Sequence, residues 1–198
     1  MSLRIEQDGP LCRIALAAPE KRNVLDAAGC RDLLREFRDA EANPVTGAIL
    51  LEADGQVFCA GAESDGEDLF SIGGRIAKPI VAAVQGVAVS GGLALVANAH
   101  VVVTAQGTSF GLTDIREGNW HAPVFRAVAA AVGERRALEL GLTGRIFSTA
   151  EALAWGLVHH VVPAFELDDR ASEIANALAA ASPEAIRAAL DVNRARAD

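Results

Sequence analysis

No stretch of the sequence is apolar for long enough to cross a bilayer, and the opening MSLRIEQDG lacks the basic-then-apolar pattern of a secretory signal. A mature cytoplasmic protein is the expectation. A basic surplus is missing too: 18 Lys and Arg face 26 Asp and Glu, a formal net charge of −8. That argues against general binding to nucleic acid or to an anionic membrane, while a local basic patch could still hold an anionic ligand. Cysteines are few, odd in number and far apart: Cys12, Cys30 and Cys59. They supply neither a disulfide framework nor a zinc spacing, so no metal and a reducing compartment are expected. Tyrosine is absent, which carries no functional implication. Repeats, low-complexity runs and linkers are also absent. What is present is 198 residues, 51% of them apolar, enough for one domain with a sizeable core.

The elements follow from local chemistry. Residues 3–6 and 11–17 read as two strands turned at Asp8-Gly9-Pro10. Asp26 can cap a helix carrying Leu33, Leu34 and Phe37 on one face and ending near Asn43-Pro44. TGAILLEA (46–53) and IVAAVQG (80–86) are almost wholly apolar, as strands covered on both faces are. QVFCA (56–60) reads as a further short strand, and the acidic stretch 63–77 as a loop with one helical turn. LALVANA fits a buried helix and HVVVTA (100–105) a strand. Residues 121–140 read as helical with a break at Gly133, and 148–156 as a helix capped by Ser148 or Thr149 and closed by Gly156. LVHHVVP is a strand stopped by proline, and 166–197 holds two helices divided near Ser182-Pro183. Strand, strand, helix recurs, so the class is α/β with a helical final third.

One run, GVAVSGGLALVANAH (86–100), carries an unusual pair, Gly91-Gly92, ahead of small apolar residues. Glycine is poor helix material, so its use here points to a backbone that comes close to something. VFCAGAE is built in the same way: a buried strand, then small residues. If the two strands are neighbours, the N–H groups of Ala62 and Gly91 can aim at one oxygen and form an oxyanion hole, each donor contributing roughly 3 kcal/mol to a transition state. A helix starting at Gly91 adds a favourable dipole. The plainer account is that a glycine pair marks tight packing or a turn.

VFCAGAE, KPIVAAVQGVAVSGGLALVANAHVVV, SFGLTDI and AVGERRALELGLTGRIFSTAEALAWGLVHHVVP together resemble the crotonase superfamily, the enoyl-CoA hydratase/isomerase group. The resemblance spans about residues 11–165. It implies a crotonase-like spiral of ββα units over 1–165 and a shorter-than-usual C-terminal helical segment over 166–198. It also implies an acyl-CoA thioester as substrate, no cofactor beyond its CoA moiety, and a homo-oligomer, a trimer or a dimer of trimers. By position the two oxyanion donors are Ala62 and Gly91. Ser90 replaces the usual first glycine of a triplet, which reads as a conservative change.

The resemblance also exposes departures. Hydratases of this group typically use two glutamates to share the proton work of adding water. The first position is Ala94 here, which moves no proton, and the second is Asp114, one methylene shorter than the usual Glu. A single carboxylate suits an isomerisation, in which one base takes a proton from one carbon and returns it to another. Glu117, three residues on, is an alternative acid on the same face, though a structural role ranks ahead for it. Glu63 reads as a cap or a solvated group, and Asp65, Glu67 and Asp68 as a solvated loop. Trp120, His121 and Phe125 could line the acyl end; taken alone, Trp120 reads as core and His121 as packing. His159 and His160 receive no role. Lys21 and Arg22 stand where the group commonly meets the CoA nucleotide, and the backbone at Ala60 and Gly61 where it meets adenine and pantetheine. The segment from Ala62 to Lys78 and the tail are both shorter than usual, which implies a more open site. The expected activity is enoyl-CoA hydratase/isomerase chemistry, leaning to isomerase. The alternatives are a non-catalytic acyl-CoA-binding or assembly protein on the same fold, and a dehalogenase or thioester hydrolase for which no nucleophile stands out.

Overall fold

The computed structural model describes residues 2–62 and 68–194. Glu63, Asp65 and Glu67 lie outside the described residues. The elements are β1 (Leu3–Asp8), β2 (Leu11–Leu16), α1 (Ala27–Ala42), β3 (Ala48–Ala53), β4 (Ile80–Val84), β5 (Val87–Val89), α2 (Gly91–Asn98), β6 (Val101–Ala105), β7 (Ser109–Gly111), α3 (Ala122–Val132), α4 (Glu134–Thr143), β8 (Ile146–Ser148), α5 (Thr149–Ala154), β9 (His160–Val162), α6 (Leu167–Ala179) and α7 (Pro183–Arg194). They form a six-stranded sheet in the order β1-β2-β3-β4-β6-β9 and a three-stranded sheet in the order β5-β7-β8. β1 and β2 are antiparallel, with Asp8 opposite Leu11 across the Gly9-Pro10 turn, and the rest of the large sheet is parallel. The expected α/β spiral with terminal helices is the architecture observed.

The unbroken apolar strands are covered on both faces. Ile49, Leu51, Ala82 and Val84 point into the main core with α1 and α2, while Leu50, Val81 and Val103 meet Leu167, Ala171 and Ala175 of α6 on the other side. Helix α1 opens as its sequence requires: the Asp26 carboxylate accepts the Gly29 N–H at 2.6 Å. Helix α5 opens on Ser148, not Thr149, in a capping box with Glu151. Gly133, in a conformation reserved for glycine (φ 89°), breaks α3 from α4. QVFCA is not a full strand; only Cys59 makes an isolated parallel bridge, to Ala88.

Asn98 ties the last turn of α2 to a 3-10 turn over Leu69–Gly74. Its side-chain oxygen accepts from Gly73 N (2.9 Å), and its amide donates to Phe70 O and Ala94 O, both at 2.8 Å. An Asn98→Leu substitution keeps the volume but strands buried backbone groups. It is expected to cost roughly 2–4 kcal/mol, readable as a lower urea midpoint at constant slope.

His100 and His159 are structural, each accepting a backbone N–H on its ring. His100 Nδ1 accepts from Ile80 N (2.9 Å) and its Nε2–H donates to Gly73 O (3.0 Å), and burial holds it below the usual imidazole range. His159 Nδ1 accepts from Val102 N (3.0 Å) and is likewise lowered by burial, with a smaller push from His160. Asp68 is half-exposed and paired with Arg75 at 2.9 Å.

Candidate active site

Two backbone segments meet at the start of α2. Residues 59–62 run beside β5: Cys59 N donates to Val87 O (3.1 Å) and Val89 N donates to Cys59 O (3.1 Å). On the other side Leu25 N donates to Gly61 O and Ala60 N to Arg22 O, each at 3.0 Å. These bonds fix Ala62 against Gly91. A Cβ placed on Gly91 would lie 3.0 Å from Ala62 N and 2.5 Å from Ala62 Cβ, and one on Gly92 would lie 2.2 Å from the Cys59 carbonyl oxygen. The pair of glycines therefore exists for close approach. Neither Ala62 N–H nor Gly91 N–H donates to an acceptor among the described residues. The first bond inside α2 is Ala94 N to Ser90 O, 3.0 Å, so the Gly91 N–H is one of the free donors of the helix start. Phe70 Cζ would lie 3.2 Å from the same Cβ on Gly91.

Ser90 is less conservative a replacement than the sequence implied. It sits at φ 50°, ψ −117°, a conformation that favours glycine, and holds its hydroxyl 3.2 Å from Thr113 Oγ1. Its N–H donates to Gly111 O at 2.8 Å. Through these contacts the β7 turn is laid beside the start of α2, and Asp114 follows Thr113 directly.

Asp114 opens a 3-10 turn, Asp114–Glu117, closed by Gly118 in the left-handed region and by Asn119 N donating to Asp114 O at 3.0 Å. Its carboxylate is 15% exposed and lies 3.6 Å from Nδ1 of His121, which is 20% exposed. The two share a small cavity of about 10 Å³ with Leu112, Trp120, Val124 and Phe125. Glu117 is exposed and does not line that cavity. Trp120 is not core: it is 44% exposed, packs at a tilt against Phe125 with 5.2 Å between ring centroids, and packs on Gly141. Neither sequence nor spacing announced the Asp114–His121 approach; it is made by the 3-10 turn folding back onto the start of α3.

Lys21 and Arg22 lie on an exposed turn whose backbone is bonded to Ala60, so they flank the 60–62 segment. Ala94 is fully buried in α2. Cys59 is no candidate nucleophile, since burial pushes its thiol up to about 12 and its Sγ lies 3.3 Å from Gly61 O. A second cavity, of about 790 Å³, opens at the far end of α2 between the Leu69–Gly74 turn and α3, and its lining includes Phe70 but neither Ala62 nor Gly91. Among the described residues no group of three potential metal ligands converges, and no helix is long and apolar enough to cross a membrane.

The family profile described as enoyl-CoA hydratase/isomerase matches residues 6–69 and 63–198. The chain belongs to the enoyl-CoA hydratase/isomerase family. The match comes in two pieces that overlap at 63–69. Mevalonyl-coenzyme A hydratase of Aspergillus fumigatus is 31% identical over 201 residues, 90% of this chain and 72% of that protein. Carnitinyl-CoA dehydratase of Salmonella paratyphi A is 31% identical over 215 residues, 100% of this chain and 82% of that one. The crystal structure of an enoyl-CoA hydratase from Mycobacterium tuberculosis H37Rv matches with TM-score 0.83 and 30% identity, over 95% of this chain and 86% of that chain. Membership of the enoyl-CoA hydratase/isomerase family makes an acyl-CoA enzyme of the chain and confirms the crotonase fold.

Proposed function

We propose that the chain stabilises the enolate of an acyl-CoA thioester between the N–H groups of Ala62 and Gly91 and moves one proton with Asp114, catalysing a double-bond shift in an enoyl-CoA. The observation that carries the choice of reaction is Ala94. It is fully buried on α2 and carries no acid, at the position where the resemblance implies the first of two carboxylates of a hydratase. Water addition divides its proton work between two acids, whereas a shift needs one base that takes a proton and gives it back. The named relatives are a hydratase and a dehydratase, so hydration is the competing outcome.

The step balances with one group. Asp114 takes the proton at the carbon next to the thioester carbonyl: the C–H bond breaks, an O–H bond forms, and the electron pair passes to the carbonyl oxygen held by the two amides. The proton returns to the far carbon of the dienolate, the double bond moves, and the carboxylate is restored. Preorganised donors are suited to this, since they need no reorganisation as charge develops. Lys21 and Arg22 would meet the CoA phosphates, the 60–61 backbone the nucleotide and pantetheine, and Trp120 the acyl end. Exposed Leu138, Leu142, Ile146 and Leu153 leave apolar surface that supports assembly into a trimer or a pair of trimers. Three buried free cysteines fit a reducing cytoplasm.

Assays of 3-enoyl-CoA and 2-enoyl-CoA thioesters, beside calorimetric titration with a saturated acyl-CoA, test the reading. Isomerisation of the 3-enoyl thioester faster than hydration of the 2-enoyl one is expected. Faster hydration would overturn the isomerase choice. Binding without turnover would favour a non-catalytic acyl-CoA-binding protein, a reading that the missing acid at Ala94 supports. Failure to bind any acyl-CoA would remove the proposal altogether.

A further inference from the structure

Resting on the reading of Asp114 as the base, we propose that His121 is its positioning residue: Nδ1–H of His121 docks on the Asp114 carboxylate and fixes the direction in which the free oxygen faces the substrate. His121 Nδ1 is buried with no hydrogen-bond partner among the described residues. A buried polar nitrogen left unpaired is costly, so one is retained where it has work to do. Asp114 Oδ1 lies 3.6 Å away, just beyond a hydrogen bond, and the cavity they share holds about 10 Å³. That is about one water, so the pair can bond by a small closure or through a single water.

The surroundings leave the histidine free for this task. It stands at the N-cap of α3 but makes no capping bond, while its carbonyl accepts the Phe125 N–H at 3.0 Å and anchors the backbone. Trp120 against Phe125 walls one side of the pair. The rest of the lining is apolar or glycine, with Asp114 and His121 its only charged or titratable side chains. Charges on the neighbouring elements are engaged elsewhere or exposed: Arg116 and Glu117 are exposed, Glu139 pairs with Arg145, and Arg136 lies over Trp155. With Ala94 supplying no acid, the carboxylate that must aim at carbon has one polar neighbour on its cavity wall, and that neighbour is His121. The histidine keeps its own proton throughout; the C–H bond breaks and the O–H bond forms at Asp114.

The test compares His121→Asn, His121→Gln and His121→Leu on the 3-enoyl thioester, with deuterium exchange at the α-carbon of a saturated acyl-CoA in heavy water as a second readout. Asn places an amide donor near the Nδ1 position, whereas Gln reaches to that of Nε2. We expect the Asn variant within a few-fold of the wild type, and Gln and Leu variants lower in kcat by about 10- to 100-fold with KM unchanged. In an Asp114→Asn background the Leu change should add nothing further, because it acts through the missing carboxylate. Equal activity of all variants, equal rescue by Gln and Asn, or multiplicative losses in the double variant would each overturn the inference. If Leu does not fold, the Asn–Gln contrast alone decides. Loss in Asp114→Asn with no loss in the His121 series sinks only the histidine; no loss in Asp114→Asn, or a wild type inert in both readouts, sinks the base assignment and the histidine with it.

Discussion

Gly91→Ala is expected to lower turnover of an enoyl-CoA thioester by about 100- to 1,000-fold, the range that follows loss of one oxyanion donor. Helix propensity predicts the opposite of harm, since Ala in place of Gly favours a helix by about 1 kcal/mol. The harm comes from contact. The new methyl would lie 2.5 Å from Ala62 Cβ and 3.0 Å from Ala62 N, so the 60–62 segment has to move. That segment is held by Leu25 N to Gly61 O and by Ala60 N to Arg22 O, and a shift moves the Ala62 N–H, the other proposed donor. The clash is specific enough to be undone. Ala62→Gly removes the nearer of the two atoms, so the double variant should regain part of the lost activity. Gly92→Ala behaves differently, because its methyl meets the Cys59 backbone at 2.2 Å and the loss appears in the melting temperature. Wild-type kinetics in Gly91→Ala would show that these two amides lie outside the site.

The close approach of Gly91 was legible in the sequence because only a missing side chain explains two glycines at the head of a buried helix. The two-faced sheet was legible too, since strands without polar alternation have no solvent face. The second sheet was not. Its strands β5, β7 and β8 are three residues each, too short for any period to register, and they are specified by contacts from far along the chain. QVFCA has the composition of a strand, but tertiary bonds to Arg22, Gln85 and Val87 leave it a bridge on the way to Ala62. Trp120 read as core because indoles usually are; here it packs by one face on Gly141 and Phe125 and exposes the other. The strain at Ser90 is a property of φ and ψ that no residue type announces. The meeting of Asp114 with His121 depends on a single 3-10 turn, whose geometry the residue spacing alone does not fix.

Asp114→Asn is expected to lower kcat by about 100- to 10,000-fold and to leave KM within a few-fold, because it removes proton transfer but little volume. The carboxamide is nearly isosteric with the acid, so the small cavity keeps its walls and acyl-CoA binding survives. Asp114→Glu restores the carboxylate with one more methylene, in a cavity of about 10 Å³ walled by Leu112, Val124 and Phe125. The longer acid has to displace a wall or point elsewhere, so it should fall between wild type and Asn. Glu117→Gln discriminates the alternative acid: its side chain is exposed and off the cavity, and turnover within about two-fold of wild type is expected. A large loss there, with Asp114→Asn unaffected, would transfer the proton to Glu117. It would also detach the chemistry from the short chain of contacts, Ser90 to Thr113 to Asp114, that ties the turn carrying Asp114 to the residue preceding Gly91. On the proposed reading a single acid serves because the turn carrying Asp114 is bonded, through Thr113, to Ser90, the residue preceding one of the two amides, so a displacement of that turn is expected to disturb the proposed base and the proposed donor together.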